Sequence, residues 1–347
     1  MRLSVQGAVV DGVLVAGDVE IADGRVAAVG VGGSGSGIAI PGLVDLQVNG
    51  FAGVDFAAAD AAGYARAGEA LLASGVTAFQ PTLITAPEAE LIAALAEIPA
   101  EPIGPRVIGA HLEGPFLSPH RLGAHPASSR RDPDPALLER LLDAGPVSQV
   151  TLAPELDGAL ELIDLLDARG VVVSCGHTDA TAEQADQAFD RGAVTVTHLF
   201  NAMRPFGHRD PGIAGAALAR GDVVIQLIVD GQHLAEETVR LVWRAAAGRV
   251  ALVSDAIAAA GAGAGGDARR ADGVLAGSVQ PVLGALRRLH ELGVSLEAAV
   301  GAATTVPARI ARRPDLGTLR PGSMADVVVL DDALEVTRVL VGGAQLV

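Results

Sequence analysis

Hydrophobic positions along this chain follow two different periods. Residues 2–40 alternate over short segments, Arg2–Val5, Ala8–Val15, Asp18–Ile21 and Arg25–Val29, broken by Asp11-Gly12 and Asp23-Gly24. Asp-Gly pairs favour the positive backbone angles of tight hairpins, so this stretch predicts short antiparallel strands. Ala325–Leu330 and Val336–Val341 read the same way, with Gly342-Gly343 as a turn. Two β-rich stretches flanking a differently patterned middle predict one small β-sandwich domain, built from residues 1–40 together with 317–347.

From Pro41 to residue 316 the period changes. Eight short, nearly continuous apolar runs predict buried strands: Leu43–Val48, Val76–Gln80, Arg106–Leu112, Gln149–Ala153, Val171–Cys175, Val194–Thr197, Val223–Val229 and Val250–Ser254. Between them lie segments with helical spacing, including Ala61–Ala73, Glu88–Ile98, Pro135–Ala144, Gly158–Ala168, Thr181–Asp190 and Glu236–Ala246, and Gln280–Leu292 follows the last run. Asp134 is placed to cap the third of these, and Asp179 or Thr181 the fifth. Eight strands alternating with helices predict a closed (β/α)8 TIM-like barrel over residues 41–316; a doubly wound open sheet is the structural alternative.

Composition narrows the function. Half of the 347 residues are hydrophobic, enough for a large core, and the net charge of −16 argues against nucleic-acid or anionic-membrane partners. An anionic substrate would need a local positive spot. A single cysteine, Cys175, excludes an internal disulfide and predicts a reducing, cytoplasmic setting, where it packs as a small buried hydrophobe. The N-terminal residues lack a signal-peptide apolar region, and no apolar run reaches membrane-spanning length. All 25 basic residues are arginine, so a carbamylated-lysine metal bridge is excluded.

The chemistry gathers at the C-terminal ends of the predicted strands, which in a barrel converge on one mouth. Glu113 follows the third run, His177 the fifth, His198 the sixth and Asp255 the eighth. Two imidazoles and one carboxylate suit a divalent ion such as Zn²⁺ with a position open for water, and Asp255 would be the base for that water. Any one histidine after a strand is more often structural. The four together favour a single-metal hydrolytic site, one ion per subunit, with Zn²⁺ expected and Fe²⁺, Co²⁺ or Mn²⁺ able to serve.

Several stretches carry a resemblance: Pro41–Gly50 (PGLVDLQVNG), His111–Leu117 (HLEGPFL), Gly176–Thr181 (GHTDAT), Thr197–Met203 (THLFNAM), Asp230–His233 (DGQH) and Val253–Ala256 (VSDA), in this order. The chain resembles the N-acetylglucosamine-6-phosphate deacetylases of the amidohydrolase superfamily over nearly its whole length. The resemblance implies hydrolysis of the acetamide of that sugar phosphate, in amino-sugar catabolism or cell-wall recycling. It implies that Glu113, His177 and His198 hold the metal, Asp255 shuttles the proton and His125 binds or polarises the acetyl carbonyl. Ala124, Asn201, Ala202, His233, Leu275, Ala276 and Gly277 would contact substrate. Arg209 would bind the 6-phosphate from the partner subunit of a homodimer. Superfamily members often carry His-x-His where this chain has Gln47-Val-Asn49, so those neutral amides imply one metal. Relatives usually carry a longer hairpin between Asp255 and Gly273, which bears on sugar preference. N-acetylgalactosamine 6-phosphate and an N-acyl amino acid are the alternative substrates, and a non-catalytic binding barrel is the alternative class.

Overall fold

The computed structural model describes residues 1–347 except 34, 262–267, 270–272 and 274. Eight parallel strands line its centre: β1 (Leu43–Val48), β2 (Val76–Ile84), β3 (Ala110–Glu113), β4 (Val147–Leu152), β5 (Val172–Cys175), β6 (Ala193–Val196), β7 (Val224–Leu227) and β8 (Val250–Leu252). Each pairs with the next, from β1 through β8. The seam between β8 and β1 is drawn together by a Val48–Ala256 bridge. Beside it the Ser254 backbone N–H donates to Asp45 Oδ1 at 3.1 Å, and the Ser254 hydroxyl donates to the Gln47 carbonyl at 3.3 Å. The result is a nearly closed (β/α)8 barrel.

Helices cover the outside: α1 (Ala61–Ala73), α2 (Glu88–Ala96), α3 (Pro135–Ala144), α4 (Ala159–Ala168), α5 (Ala182–Asp190), α6 (Gly212–Ala219), α7 (Glu236–Ala246), α8 (Val282–Glu291), α9 (Leu296–Ala303) and α10 (Thr305–Ile310). In α1 the buried stripe is Tyr64, Ala67, Gly68, Leu71 and Leu72, the helical spacing of one face. Asp134 caps α3, accepting from the Ala136 and Leu137 amides. Thr181 rather than Asp179 caps α5, through a reciprocal capping box with Gln184. The third predicted strand is split into Arg106–Val107 and β3, with a register shift at Ala110/His111. Helix α6 has no counterpart among the sequence expectations. It is apolar on every side (GIAGAALA) and so carries no amphipathic stripe.

Segments from both sides of the barrel sequence share a second sheet, in the order Ala344–Gln345, Val336–Val341, Val327–Leu330, Ile38–Pro41, Gly7–Val10, Val13–Ala16. Its strands obey the two-residue period. Ala39, Val327, Val329 and Leu340 pack with Val19, Ile21 and Val26 of the Asp18–Ala22/Arg25–Val31 hairpin. Their neighbours Ile40, Val328, Leu330 and Val339 join the main core under the barrel helices. Asp11-Gly12 and Asp23-Gly24 turn as expected, all four with positive φ.

The barrel interior below its mouth is polar. His111 on β3 bridges Thr82 Oγ1 of β2 (3.3 Å) and Thr151 Oγ1 of β4 (2.7 Å). Thr151 continues to Thr197 Oγ1 (2.7 Å), which reaches Ser174 Oγ on β5 (2.6 Å). All five side chains are buried. This hydrogen-bonded belt ties together the strands that carry the candidate ligands.

Candidate active site

The side chains expected to act together do converge. Glu113 ends β3, His177 follows β5 by two residues and His198 follows β6 by two. Their ligating atoms all lie within 4.8 Å of one another. Glu113 Oε1 is 3.1 Å from His177 Nε2 and 3.0 Å from His198 Nε2, and the two imidazole nitrogens are 3.2 Å apart. His177, His198 and Asp255 all adopt positive φ, at 48°, 29° and 51°. Residues with side chains rarely adopt such angles, and they cluster where a strand end must aim a functional group.

The donor chemistry fits a divalent cation. His177 Nδ1 is 2.9 Å from the Arg121 carbonyl, which can only accept, so the ring proton sits on Nδ1 and Nε2 presents a lone pair. That lone pair faces Glu113 Oε1 and His198 Nε2. Electron-rich atoms packed so closely, away from water, repel unless positive charge lies among them. Two imidazoles with one carboxylate form a donor set of borderline hardness, suited to zinc and its first-row neighbours.

Around this group lies a cavity of about 610 Å³. Every residue expected at the site lines it except Arg209: Glu113, Ala124, His125, His177, His198, Asn201, Ala202, His233, Asp255, Leu275, Ala276 and Gly277. Arg209 is exposed on the loop before α6, and neighbouring Asp210 pairs with Arg204 (2.7 Å). Part of the Asp255–Gly273 stretch tied to sugar preference, 262–267 and 270–272, lies outside the described residues.

Hydrogen bonds set the roles of the lining groups. His125 Nδ1 accepts from the Thr85 backbone N–H (3.3 Å), which places the ring proton on Nε2. That N–H edge lies 3.6 Å from Glu113 Oε2, beside the three-donor cluster, where a carbonyl oxygen could accept it. Asp255 is buried. Burial first, and then the negative charge of Glu113, push its carboxyl up to about 8. Its Oδ1 accepts from Asn49 Nδ2 at 2.7 Å. Gln47 Nε2 donates to Glu113 Oε1 at 3.1 Å. The amides at the His-x-His position therefore each hold a carboxylate of the site.

A match to the amidohydrolase family spans residues 38–346. The chain belongs to the amidohydrolase family. Within that family it is similar to N-acetylglucosamine-6-phosphate deacetylase of Homo sapiens, with 39% identity over 340 residues, covering 89% of this chain and 83% of that one. It is also similar to N-acetylgalactosamine-6-phosphate deacetylase of Escherichia coli O157:H7, with 36% identity covering 94% and 93% of the two chains. A crystal structure of N-acetyl-D-glucosamine-6-phosphate deacetylase from Mycobacterium smegmatis superposes with a TM-score of 0.93 at 36% identity, covering 100% of both chains. Amidohydrolases are metal-dependent, and the buried Glu113–His177–His198 group is where this one can hold its ion.

Three residues in and around the site were not legible as functional in the sequence. Arg121 lines the cavity, pairs with Asp179 at 2.6 Å and gives its carbonyl to His177. Thr85 fixes the tautomer of His125. Asp230, three residues before His233, holds that ring at 2.8 Å. Of these, Asp230 alone left a signal, the short Asp-Gly-Gln-His run.

Proposed function

We propose that the protein hydrolyses the acetamide of N-acetyl-D-glucosamine 6-phosphate to D-glucosamine 6-phosphate and acetate. The observation that carries this reading is the union of Glu113, His177 and His198 with Asp255 and His125 in one cavity of a chain 39% identical to a deacetylase of that name. Glu113, His177 and His198 hold a divalent ion, Zn²⁺ by preference of the donor set. When bound, that ion supplies Lewis acidity, polarising the amide carbonyl and easing loss of a proton from water.

The chain's own groups do the rest. His125 Nε2–H donates to the acetyl oxygen as negative charge grows there. Asp255 takes the proton from the attacking water and hands it to the amide nitrogen, so the C–N bond breaks with a neutral amine leaving. Asn49 keeps the Asp255 carboxylate turned for both transfers. Leu275, Ala276 and Gly277 lay backbone along the sugar, and Ala124, Asn201, Ala202 and His233 contact the rest of the substrate. A Cβ at Gly277 would stand 2.5 Å from the Asp255 carbonyl, so only glycine allows that approach.

Residues 41–316 form the catalytic unit, and residues 1–40 with 317–347 the attached β unit. Arg209, exposed and away from the cavity of its own chain, serves the 6-phosphate of a partner copy in a homodimer. No helix of the described residues is long and apolar enough to cross a membrane, in keeping with work in the cytoplasm.

The likeness to an N-acetylgalactosamine-6-phosphate deacetylase supports that epimer as a second reading. Acetate release from both phosphorylated sugars and from unphosphorylated N-acetylglucosamine, with and without added Zn²⁺, tests the proposal. Metal-dependent release from the glucosamine compound is expected. Release from the epimer alone would move the substrate, and release from neither would overturn the reading.

A further inference from the structure

Glu155 is a half-buried carboxylate three residues beyond β4. It does not line the cavity, and the hydrolytic steps leave it unused. It reaches across to the turn that follows β5. There Oε1 accepts from the Asp179 backbone N–H at 2.7 Å, and Oε2 accepts from the Thr178 hydroxyl at 2.5 Å. The Thr178 oxygen itself accepts from the Ala180 backbone N–H at 3.0 Å, so its own proton is free to point at Glu155. The turn thus offers Glu155 two donors and no acceptor. A carboxylate satisfies both; a primary amide in its place would turn a donor on one of them.

The turn begins at His177, which holds a left-handed backbone with φ of 48°. A side-chain-bearing residue keeps such an angle only where its surroundings over-determine it. Backbone bonds from two neighbouring loops supply part of that frame. The His177 carbonyl accepts from the Ser118 N–H (2.9 Å), the Thr178 N–H donates to the Ala202 carbonyl (3.1 Å), and the Arg204 N–H donates to the Thr178 carbonyl (2.9 Å). The Asp179 side chain adds pairs to Arg121 and Arg204, but all three are 28–30% exposed, where solvent weakens them. Glu155 braces the turn from the β4 side. The frame works against a local repulsion, because His177 Nε2 turns its lone pair on Glu113 Oε1 and His198 Nε2.

We propose that Glu155 is a positioning residue for the metal site: it clamps the turn after β5 so that His177 Nε2 stays aimed at the cation position before an ion arrives. This rests on the reading of Glu113, His177 and His198 as the metal ligands. Without the clamp, His177 relaxes toward an ordinary backbone angle and swings Nε2 away from the other two ligands. An ion then binds only the fraction of molecules in which the ring has returned, and its apparent affinity falls by that fraction. Once bound, the ion itself selects the aimed ring, so the loaded enzyme works as before. Affinity for the ion and turnover of the loaded enzyme therefore separate.

The test is Zn²⁺ affinity of the whole chain, measured by competition with a chromophoric chelator, beside turnover at saturating Zn²⁺. Glu155→Gln and Thr178→Val should each weaken Zn²⁺ by about 10- to 100-fold, the scale on which groups that orient a metal ligand act. Turnover at saturating Zn²⁺ should stay at the wild-type level. Thr178→Ser, which keeps the hydroxyl, should bind Zn²⁺ like wild type. The double variant Glu155→Gln/Thr178→Val should lose less than the product of the two single fold-changes, because the two substitutions share one bond. Wild-type affinity in well-folded Glu155→Gln and Thr178→Val, even with a lowered melting temperature, would reduce the clamp to a structural contact and overturn the proposal. An equal loss in Thr178→Ser would overturn it as well. If His177→Asn held Zn²⁺ as tightly as wild type, the metal reading would fall first and the proposal with it.

Discussion

At the residue scale, the same burial gives two ionisable groups opposite consequences. In the proposed mechanism Asp255 carries the proton, so Asp255→Asn should cut turnover by about 10²- to 10⁴-fold, the usual worth of one general acid–base group. Metal content should stay at the wild-type level, since the ligands are untouched; full activity in that variant would remove Asp255 from the mechanism. His111 is not at the mouth but in the belt below it, where burial pushes its ring down to about 4. Its folded pKa thus lies below the ordinary value, and the unfolded chain binds the proton first as pH falls. Its contribution to stability is therefore complete above about pH 6.5 and is lost as pH falls through 4. Thermal melts of wild type and His111→Gln across that window should converge on the acid side. Parallel curves would exclude His111 as the source. Glu113, His177, His198 and Asp255 were legible in the sequence because strand ends converge in a barrel and each follows a recognisable apolar run. Asn49 and Gln47 were legible only as non-ligands. Their partners, Asp255 and Glu113, are 206 and 66 residues away, and no local pattern records such a pairing.

At the scale of elements, local chemistry decided most of what could be read. Helices α1, α3 and α7 begin and end at the residues their spacing predicts, and α3 carries the expected Asp134 cap. Helix α6 was missed because a segment that is apolar all round gives no periodic signal. The split at the third strand was missed because Gly109, with φ of 92° and a would-be Cβ 2.6 Å from Ser148 Oγ, marks a break that depends on its neighbour strand. The strand-end turns also matter to catalysis. Gly277 has φ of 142° and presses on the backbone of Asp255. Gly277→Ala should displace Asp255, lowering kcat by at least about ten-fold while metal content stays at the wild-type level. Equal kcat in the two proteins would show that the loop adapts without moving the acid.

On the scale of the whole molecule, the ion links stability to pH. In metal-free protein, burial and Glu113 raise the Asp255 carboxyl to about 8. The folded state then holds a proton that the unfolded state releases near pH 4, so stability falls as pH rises from about 4 to about 8. A divalent ion beside Glu113 opposes the charge that raises Asp255, and it binds only the folded arrangement. Chelated protein should therefore melt lower than loaded protein, with the gap widening from pH 5 to pH 8. A gap independent of pH would mean that Asp255 does not sense the ion. The expectations of eight parallel strands and of β segments that pair from residues 1–40 and 317–347 were readable because both rest on period. The sheet order, with Ile38–Pro41 between Gly7–Val10 and Val327–Leu330, was not.

That order has a consequence for how the protein comes into being. On the ribosome, Ile38–Pro41 emerges with one neighbour already made and the other about 290 residues away, roughly 15–60 s of synthesis. Throughout that interval one edge of a short apolar strand stands open. A nascent chain of this design depends either on a barrel that assembles before the sheet can close, or on a chaperone that covers the edge until the last strands arrive.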